Sequence, residues 1–287
     1  MSRFDPPVTA VSEVVERALS EDLEPLGDLT ASLLPPDERV KARIVSRDHG
    51  TLAGCACARE TFTRLDPSIT QRWNCDDGDV LAAGTVVAEI EGSLAGVVSA
   101  ERTALNFLMH LSGIATLTAR FVERAAPLRV WDTRKTTPGL RALEKAAVRA
   151  GGGAAHRGNL SDWIMLKDNH LAGMSIADAV ARSHDLWPAR TVHVECDRIE
   201  QMGEALDAGA DAILLDNMTP DEVRNCVALA SEHGSSPLLE VSGGIDLETV
   251  GSYADSGADI VSTSAITLSA PAFDLGMDLD PSEATES

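Results

Sequence analysis

The chain has 287 residues, 44% of them hydrophobic, and carries 45 acidic against 24 basic side chains for a formal charge of -21. That length suits one large or two medium domains with a sizeable core. No apolar run approaches the roughly 18 residues of a membrane span, so a soluble cytoplasmic protein is expected, and so negative a field disfavours nucleic acid or anionic membrane as a partner.

In chain order, SEVVERALSEDL (12–23) has the period of an amphipathic helix and runs into the turn-rich LEPLGDLTASLLPPDE. VKARIVSRDHGTLAG (40–54) reads as a strand pair, ACARETFTRL (56–65) as a helix and GDVLAAGTVVAEIEG (78–92) as a hairpin. That hairpin has the look of a biotinyl or lipoyl carrier, but a carrier needs an attachment lysine at its tip and none occurs between residues 42 and 134. The stretch 100–125 is a long helix with an expected break at Ser112-Gly113. The five cysteines form no CxxC pair and read as reduced structural thiols, Cys55 and Cys57 included.

From residue 128 one unit repeats: apolar strand, polar end, loop, amphipathic helix. The strands are LRVWDTRK (128–135), DWIMLKDN (162–169), TVHVECD (191–197), ADAILLDN (210–217), PLLEVSGG (237–244) and ADIVSTSA (258–265). Helical segments between them include PGLRALEKAAVRA, RIEQMGEALDAG, TPDEVRNCVALASEHG and DLETVGSYADSG. Continuous apolar strands alternating with helices imply a covered parallel sheet, and six units in a row favour an α/β barrel over a doubly wound sheet.

The strand ends carry the chemistry. Each strand is apolar until it delivers Arg134-Lys135, Lys167, Glu195, Asp216, Ser242 or Ser262 and Ser264. In a barrel those ends converge on one mouth. Residues 129–170 hold a local charge of +4 against -25 for the rest, which points to a small anionic ligand. Arg141, Lys145 and Arg149 read as one ordinary polar helix face. GGGAAHRGN places His156-Arg157 after three glycines, between Lys135 and Lys167. Arginine suits bidentate carboxylate or phosphate binding, and lysine suits point-charge neutralisation. VSGGI and VSTSAI are strand-to-helix turns of the kind that cradle phosphate with backbone N–H groups. Glu195 and Asp216 suit Mg²⁺, ribose hydroxyls or a developing cation, or ion pairs with Lys135 and Lys167. Four lysines, 3% aromatics and the surplus of acid suggest a host with a high-salt interior.

ERTALNFLMHLSGIAT, DTRKTTPGLRALEKAAVRAGGGAAHR, LSDWIMLKDNH, VECD, ILLDNM and SGGI together resemble the quinolinate phosphoribosyltransferase (carboxylating nicotinate-nucleotide pyrophosphorylase) family over essentially the whole chain. The resemblance implies the type II phosphoribosyltransferase fold: an N-terminal α/β sandwich-like domain (1–112), an incomplete α/β barrel (113–270) and a segment (271–287) that packs back on the first domain before an acidic tail. It implies transfer of the phosphoribosyl group of phosphoribosyl pyrophosphate to quinolinate with decarboxylation, in NAD biosynthesis, with Mg²⁺, in a homodimer or dimer-based hexamer. Carried over by motif, Arg134, His156, Arg157 and Lys167 bind the acceptor's carboxylates, Thr133 flanks them, and Lys135 lies between the substrates. Arg102 comes from the neighbouring subunit. Glu195 and Asp216 face ribose and metal; Ser242, Gly243 and Gly244 with Thr263, Ser264 and Ala265 hold the 5-phosphate. Two positions depart from the family's last-strand pattern, with Ser264 for a glycine and Leu268 for a histidine. The rival expectations are a same-fold paralogue acting on another aromatic acid, such as the molybdenum-transport-associated relative, or a non-catalytic phosphometabolite-binding protein.

Overall fold

The computed structural model describes residues 4–280. Its first stretch holds α1 (Val8–Leu23), β1 (Arg39–Ser46), β2 (Gly50–Thr51), α2 (Cys55–Leu65), β3 (Thr70–Trp73), β4 (Val80–Leu81), β5 (Val86–Ser93) and α3 (Leu94–Ala125). Then come β6 (Arg129–Trp131), α4 (Arg141–Ala150), β7 (Ile164–Leu166), α5 (Ile176–Leu186), β8 (Val192–Cys196), α6 (Ile199–Asp207) and β9 (Ala212–Asp216). α7 (Pro220–His233), β10 (Leu238–Ser242), β11 (Ile260–Ser262), α8 (Ala265–Leu268) and β12 (Leu275–Leu279) complete it. No helix among the described residues is long and apolar enough to cross a membrane.

These elements form two compact units. The first takes the described part of Met1–Ala119, Thr137–Gly152 and Ser269–Ser287; the second takes Arg120–Thr136 and Gly153–Leu268. The sequence reading assigns 113–270 to one domain, whereas α4 sits in the first unit.

The first unit is built on a four-stranded antiparallel sheet in the order β12-β1-β5-β3. Alternation along β1 buries Ala42 and Ile44 against Ile90, Phe62 of α2 and Leu105 and Leu108 of α3. The opposite face carries cross-strand ion pairs, Lys41 with Glu91 and Arg72 with Glu89. Four sequence expectations are corrected here. β1 and β2 do not pair with each other, and β4 and β5 form no hairpin: β2 pairs β4, while β1 pairs β5 and β12. An eight-residue strand with a buried face needs a partner of its own length, which β5 supplies and the two-residue β2 does not. α3 also runs unbroken through Ser112-Gly113. Ser112 bonds the backbone N–H and carbonyl of Ala53, and a Cβ on Gly113 would overlap the Pro271 carbonyl oxygen. These residues are small because backbone passes close by. Finally, α4 is no ordinary polar helix. Lys145 is only 6% exposed and Glu144 is fully buried, receiving the Thr137 N–H at 3.2 Å and His110 Nε2 at 2.9 Å. β12 adds an edge strand through Ala42↔Leu279 to Ser46↔Leu275; the acidic tail expected after it lies outside the described residues.

The second unit is a six-stranded parallel sheet in the order β6-β11-β10-β9-β8-β7. Strands consecutive in sequence are neighbours, except that the first pairs with the last through Ile260↔Arg129 to Ser262↔Trp131. This is the order of an α/β barrel left open between β6 and β7, where a Trp131↔Ala154 bridge stands instead of a ladder. The fold is therefore the incomplete barrel that was expected. Its registers keep the strand C-termini level, with Ser242 beside Asp216 and Cys196 beside Leu215. Local chemistry sets the helix bounds: Ser175 caps α5, and Thr219 with Glu222 makes a capping box for α7, which ends at Gly234 with φ +77°. The helix expected at 246–257 shrinks to a single short turn, Val250–Tyr253. Asp246 binds the Glu248 and Thr249 N–H groups, and Gly251 lies in the middle of the stretch.

Candidate active site

The strand ends of the second unit enclose a cavity of about 290 Å³. The β6 end contributes Thr133, Arg134 and Lys135, and the loop after the Trp131 bridge contributes His156 and Arg157. β7 and its end give Met165 and Lys167, β8 Glu195, β9 Leu214 and Asp216, β10 Glu240 and Ser242, and β11 Ser262. Ten of the residues singled out in the sequence therefore meet in one place. Gly243 and Gly244 follow directly from Ser242. Thr263, Ser264 and Ala265 follow Ser262 without lining the cavity, and Arg102 is exposed on α3 in the other unit. A larger hollow of about 440 Å³ lies over the first unit's sheet. Its charges pair with one another across exposed strands, so nothing there is held for a ligand.

Four cations (Arg134, Lys135, Arg157, Lys167) and three carboxylates (Glu195, Asp216, Glu240) line the strand-end cavity. Its +1 balance, in a chain of charge -21, suits an anion. Arg157 is buried and donates to the Trp163 carbonyl at 3.4 Å. Burial, and after it the Arg134 charge, press its guanidinium below the ordinary arginine range. Lys167 forms an ion pair with Glu195, and Asn217 donates to Asp216 at 2.8 Å. The Lys135 backbone is braced on both sides, by its N–H on Thr133 Oγ1 at 3.0 Å and by Thr267 Oγ1 on its carbonyl at 2.7 Å. Its side chain is thus presented from a fixed turn.

These cations adjoin a buried polar cluster of which only His156 was legible in the sequence. Glu240, with no exposure, stands 3.3 Å from His156 Nε2 and 3.8 Å from His193 Nδ1. Burial alone would raise the Glu240 carboxyl; its contacts with His156 and Ser262 and the charge of His193 outweigh that and hold it below the ordinary value. Burial, opposed by the Glu240 charge, pulls His193 down to about 4. Trp163 packs on both imidazoles, stacked on His193 at 5.1 Å and edge-on to His156 at 4.8 Å. Asp132 Oδ1 receives the His156 backbone N–H at 2.7 Å. The available signal was an acid inside PLLEVSGG and a histidine inside TVHVECD, where an apolar residue is expected.

The β10 turn is tight for a stated reason. Gly243 has φ +99°, and a Cβ there would collide with Asn217, itself at φ +57°. In the neighbouring turn Thr263 Oγ1 donates to the Ile245 carbonyl at 2.7 Å, so its hydroxyl is committed within the fold.

The site's neighbours among known proteins are consistent. The family model for the quinolinate phosphoribosyl transferase N-terminal domain matches residues 28–112, and that for the C-terminal domain matches residues 114–278. The chain is 40% identical over 257 residues to a probable nicotinate-nucleotide pyrophosphorylase [carboxylating] of Bacillus subtilis, covering 88% of each chain. It is 34% identical over 298 residues to quinolinate phosphoribosyltransferase [decarboxylating] 2b of Nicotiana tabacum, covering 98% of this chain and 85% of that one. The structure of the nicotinate-nucleotide pyrophosphorylase from Francisella tularensis superposes with a TM-score of 0.92 at 34% identity, covering 98% of this chain and 100% of that one.

Proposed function

We propose a function on one premise: the chain belongs to the quinolinate phosphoribosyltransferase family. It transfers the phosphoribosyl group of phosphoribosyl pyrophosphate to quinolinate with decarboxylation, giving nicotinate mononucleotide, pyrophosphate and carbon dioxide. The observation that carries this reading is the convergence of Arg134, Lys135, Arg157 and Lys167 on one cavity of a strongly acidic chain.

Quinolinate is a dianion and the sugar donor carries more negative charge. Unit charges ~4 Å apart repel by roughly 4 kcal/mol at an effective dielectric near 20, so the two substrates cannot share a site without cations between them. Arg134, Arg157, Lys167 and His156 bind the acceptor's carboxylates, and Lys135 separates acceptor from donor. Glu240 supports His156 from behind as a buried counter-charge. The acceptor's arrival draws Lys167 from Glu195 and frees that carboxylate toward the ribose. The C–O bond to pyrophosphate breaks, and Glu195 and Asp216 stabilise the oxocarbenium-like sugar until the pyridine nitrogen captures it. The new cationic nitrogen accepts electron density as the adjacent carboxylate leaves as CO₂, and the ring carbon takes a proton.

Glu195 and Asp216, whose carboxylates line the cavity, fit Mg²⁺ by their oxygen donors and would hold it there, where it would supply positive charge to offset the departing pyrophosphate. The backbone turns at 242–244 and 263–265 take the 5-phosphate, with Ser264 supplying a hydroxyl at the second.

A second copy of the chain completes the site with Arg102. Supporting this, Leu26, Leu29 and Leu33 are 75%, 63% and 83% exposed. Their segment is tied to the Arg102 helix by Asp28 with Ser99 at 2.8 Å and Asp22 with Thr103 at 2.7 Å. The five free cysteines favour a reducing cytoplasm. The test is turnover with phosphoribosyl pyrophosphate and Mg²⁺ on quinolinate against nicotinate. Mononucleotide is expected from quinolinate alone; equal use of nicotinate would favour a transferase for another aromatic acid.

A further inference from the structure

We propose that His156, His193 and Glu240 form a binding site for a divalent transition-metal ion of the zinc type on the inner wall of the anion cavity. The three side chains come from the loop before β7, from β8 and from β10. His156 Nε2 and His193 Nδ1 stand 3.3 and 3.8 Å from the same oxygen of Glu240, and one ligand atom from each residue lies within 4.8 Å of the others. A tetrahedral zinc ion with bonds of about 2.0–2.1 Å holds its ligand atoms roughly 3.3–3.4 Å apart, so side-chain movements of about an ångström close the site.

A second observation points to a cation. His193 is 2% exposed, and its Nδ1, turned toward Glu240, has no hydrogen-bond partner. Buried polar atoms are seldom left in that state. Glu240 is wholly buried with both imidazoles within 4 Å. Trp163 packs on both histidine rings and offers no ligand atom that would compete. Two imidazole nitrogens with one carboxylate oxygen suit Zn²⁺ or Co²⁺ and disfavour Mg²⁺, which prefers an all-oxygen shell. This site is therefore separate in chemistry from Glu195 and Asp216.

His156 and Glu240 line the cavity, which gives the ion a path in. An ion bound there takes His156 away from the substrate. That consequence rests on the proposed function; the binding does not.

The test uses cobalt as probe. Protein stripped with a chelator and titrated with Co²⁺ should develop the intense visible bands of a four-coordinate site at one ion per chain, and lose them when Zn²⁺ is added. His193→Ala and the isosteric Glu240→Gln should each bind at least about tenfold more weakly with circular dichroism unchanged. No bands in the parent, or equal bands in parent and both variants, would overturn the site. Zn²⁺ should also slow turnover of the parent and leave His193→Ala untouched. Cobalt bands that behave as stated while turnover ignores Zn²⁺ would uphold the site and remove His156 from the substrate-binding set.

Discussion

Arg157 trades stability for charge placement in the cavity, and the trade can be measured. Arg157 is held against burial and against Arg134, so the folded state carries its cost. Arg157→Ala should raise the KM for quinolinate at least about tenfold while the melting temperature holds or rises, because it relieves that repulsion. A large drop in melting temperature with unchanged KM would make Arg157 a structural cation. His193 gives a pH signature. The unfolded imidazole takes a proton near 6.5 and the folded one near 4, so the unfolded chain binds more protons throughout that window. Stability should therefore fall as pH drops from about 6.5 to 4, by on the order of 3 kcal/mol from this residue. His193→Phe, which keeps a ring on Trp163, should flatten the slope in melts recorded with a chelator; parallel slopes would show that His193 titrates normally in the fold. The same two residues show what the sequence made legible. Arg157 follows a glycine run between two cationic strand ends, where an apolar pattern has stopped and charge stands out. His193 and Glu240 lie inside their strands, and which side of a barrel strand faces inward follows from register, which sequence periodicity does not reveal in strands buried on both faces.

At the level of elements, the second unit was readable because its strands are continuous apolar runs punctuated by helices, each an independent local signal. The pairings of the first unit were not. β1 finds its partners through Ala42↔Ile90 and Ala42↔Leu279, contacts between distant residues that no local pattern announces. The break expected at Gly113 fails for the same reason, since a glycine in a helix signals a break when its tertiary neighbour is unknown. Two substitutions separate these meanings. A Cβ at Gly113 would overlap the Pro271 carbonyl, whereas one at Gly203, in α6, meets nothing within 4 Å. Gly113→Ala should cost roughly 1–3 kcal/mol by overpacking and lower the melting temperature. Gly203→Ala should gain up to about 1 kcal/mol through lost unfolded-state entropy and helix propensity, and raise it. Equal shifts would mean that the Pro271 segment yields and that the close approach does not constrain α3.

For the whole molecule, the charge of -21 sets a salt condition, and the exposed leucines bear on the proposed second copy. Self-repulsion reaches across the fold where the Debye length is about 30 Å, at 0.01 M salt, and is screened within about 3 Å at 1 M. Thermal stability should climb steadily from dilute buffer to molar KCl, and a flat profile would remove the high-salt reading. Assembly carries the last prediction. Leu105, Leu108 and Leu111 on α3 are already consumed by core packing, so they do not call for a second chain. Leu26, Leu29 and Leu33 are not consumed, and their segment is bonded to the stretch of α3 that carries the exposed Arg102. The proposed second copy, if it covers those leucines, lies against the part of α3 that carries Arg102, and the prediction tests whether that arginine serves the copy's site. Arg102→Ala and Lys135→Ala should therefore each be inactive alone. Mixed after subunit exchange, half of the dimers are hetero-pairs, and each has one site with both lesions and one with neither. Activity should return to about a quarter of the parent at equal mixing, a share fixed by two-fold pairing and independent of either residue's chemical role. No recovery, with exchange confirmed by mass, would place Arg102 in the site of its own chain or outside the site altogether.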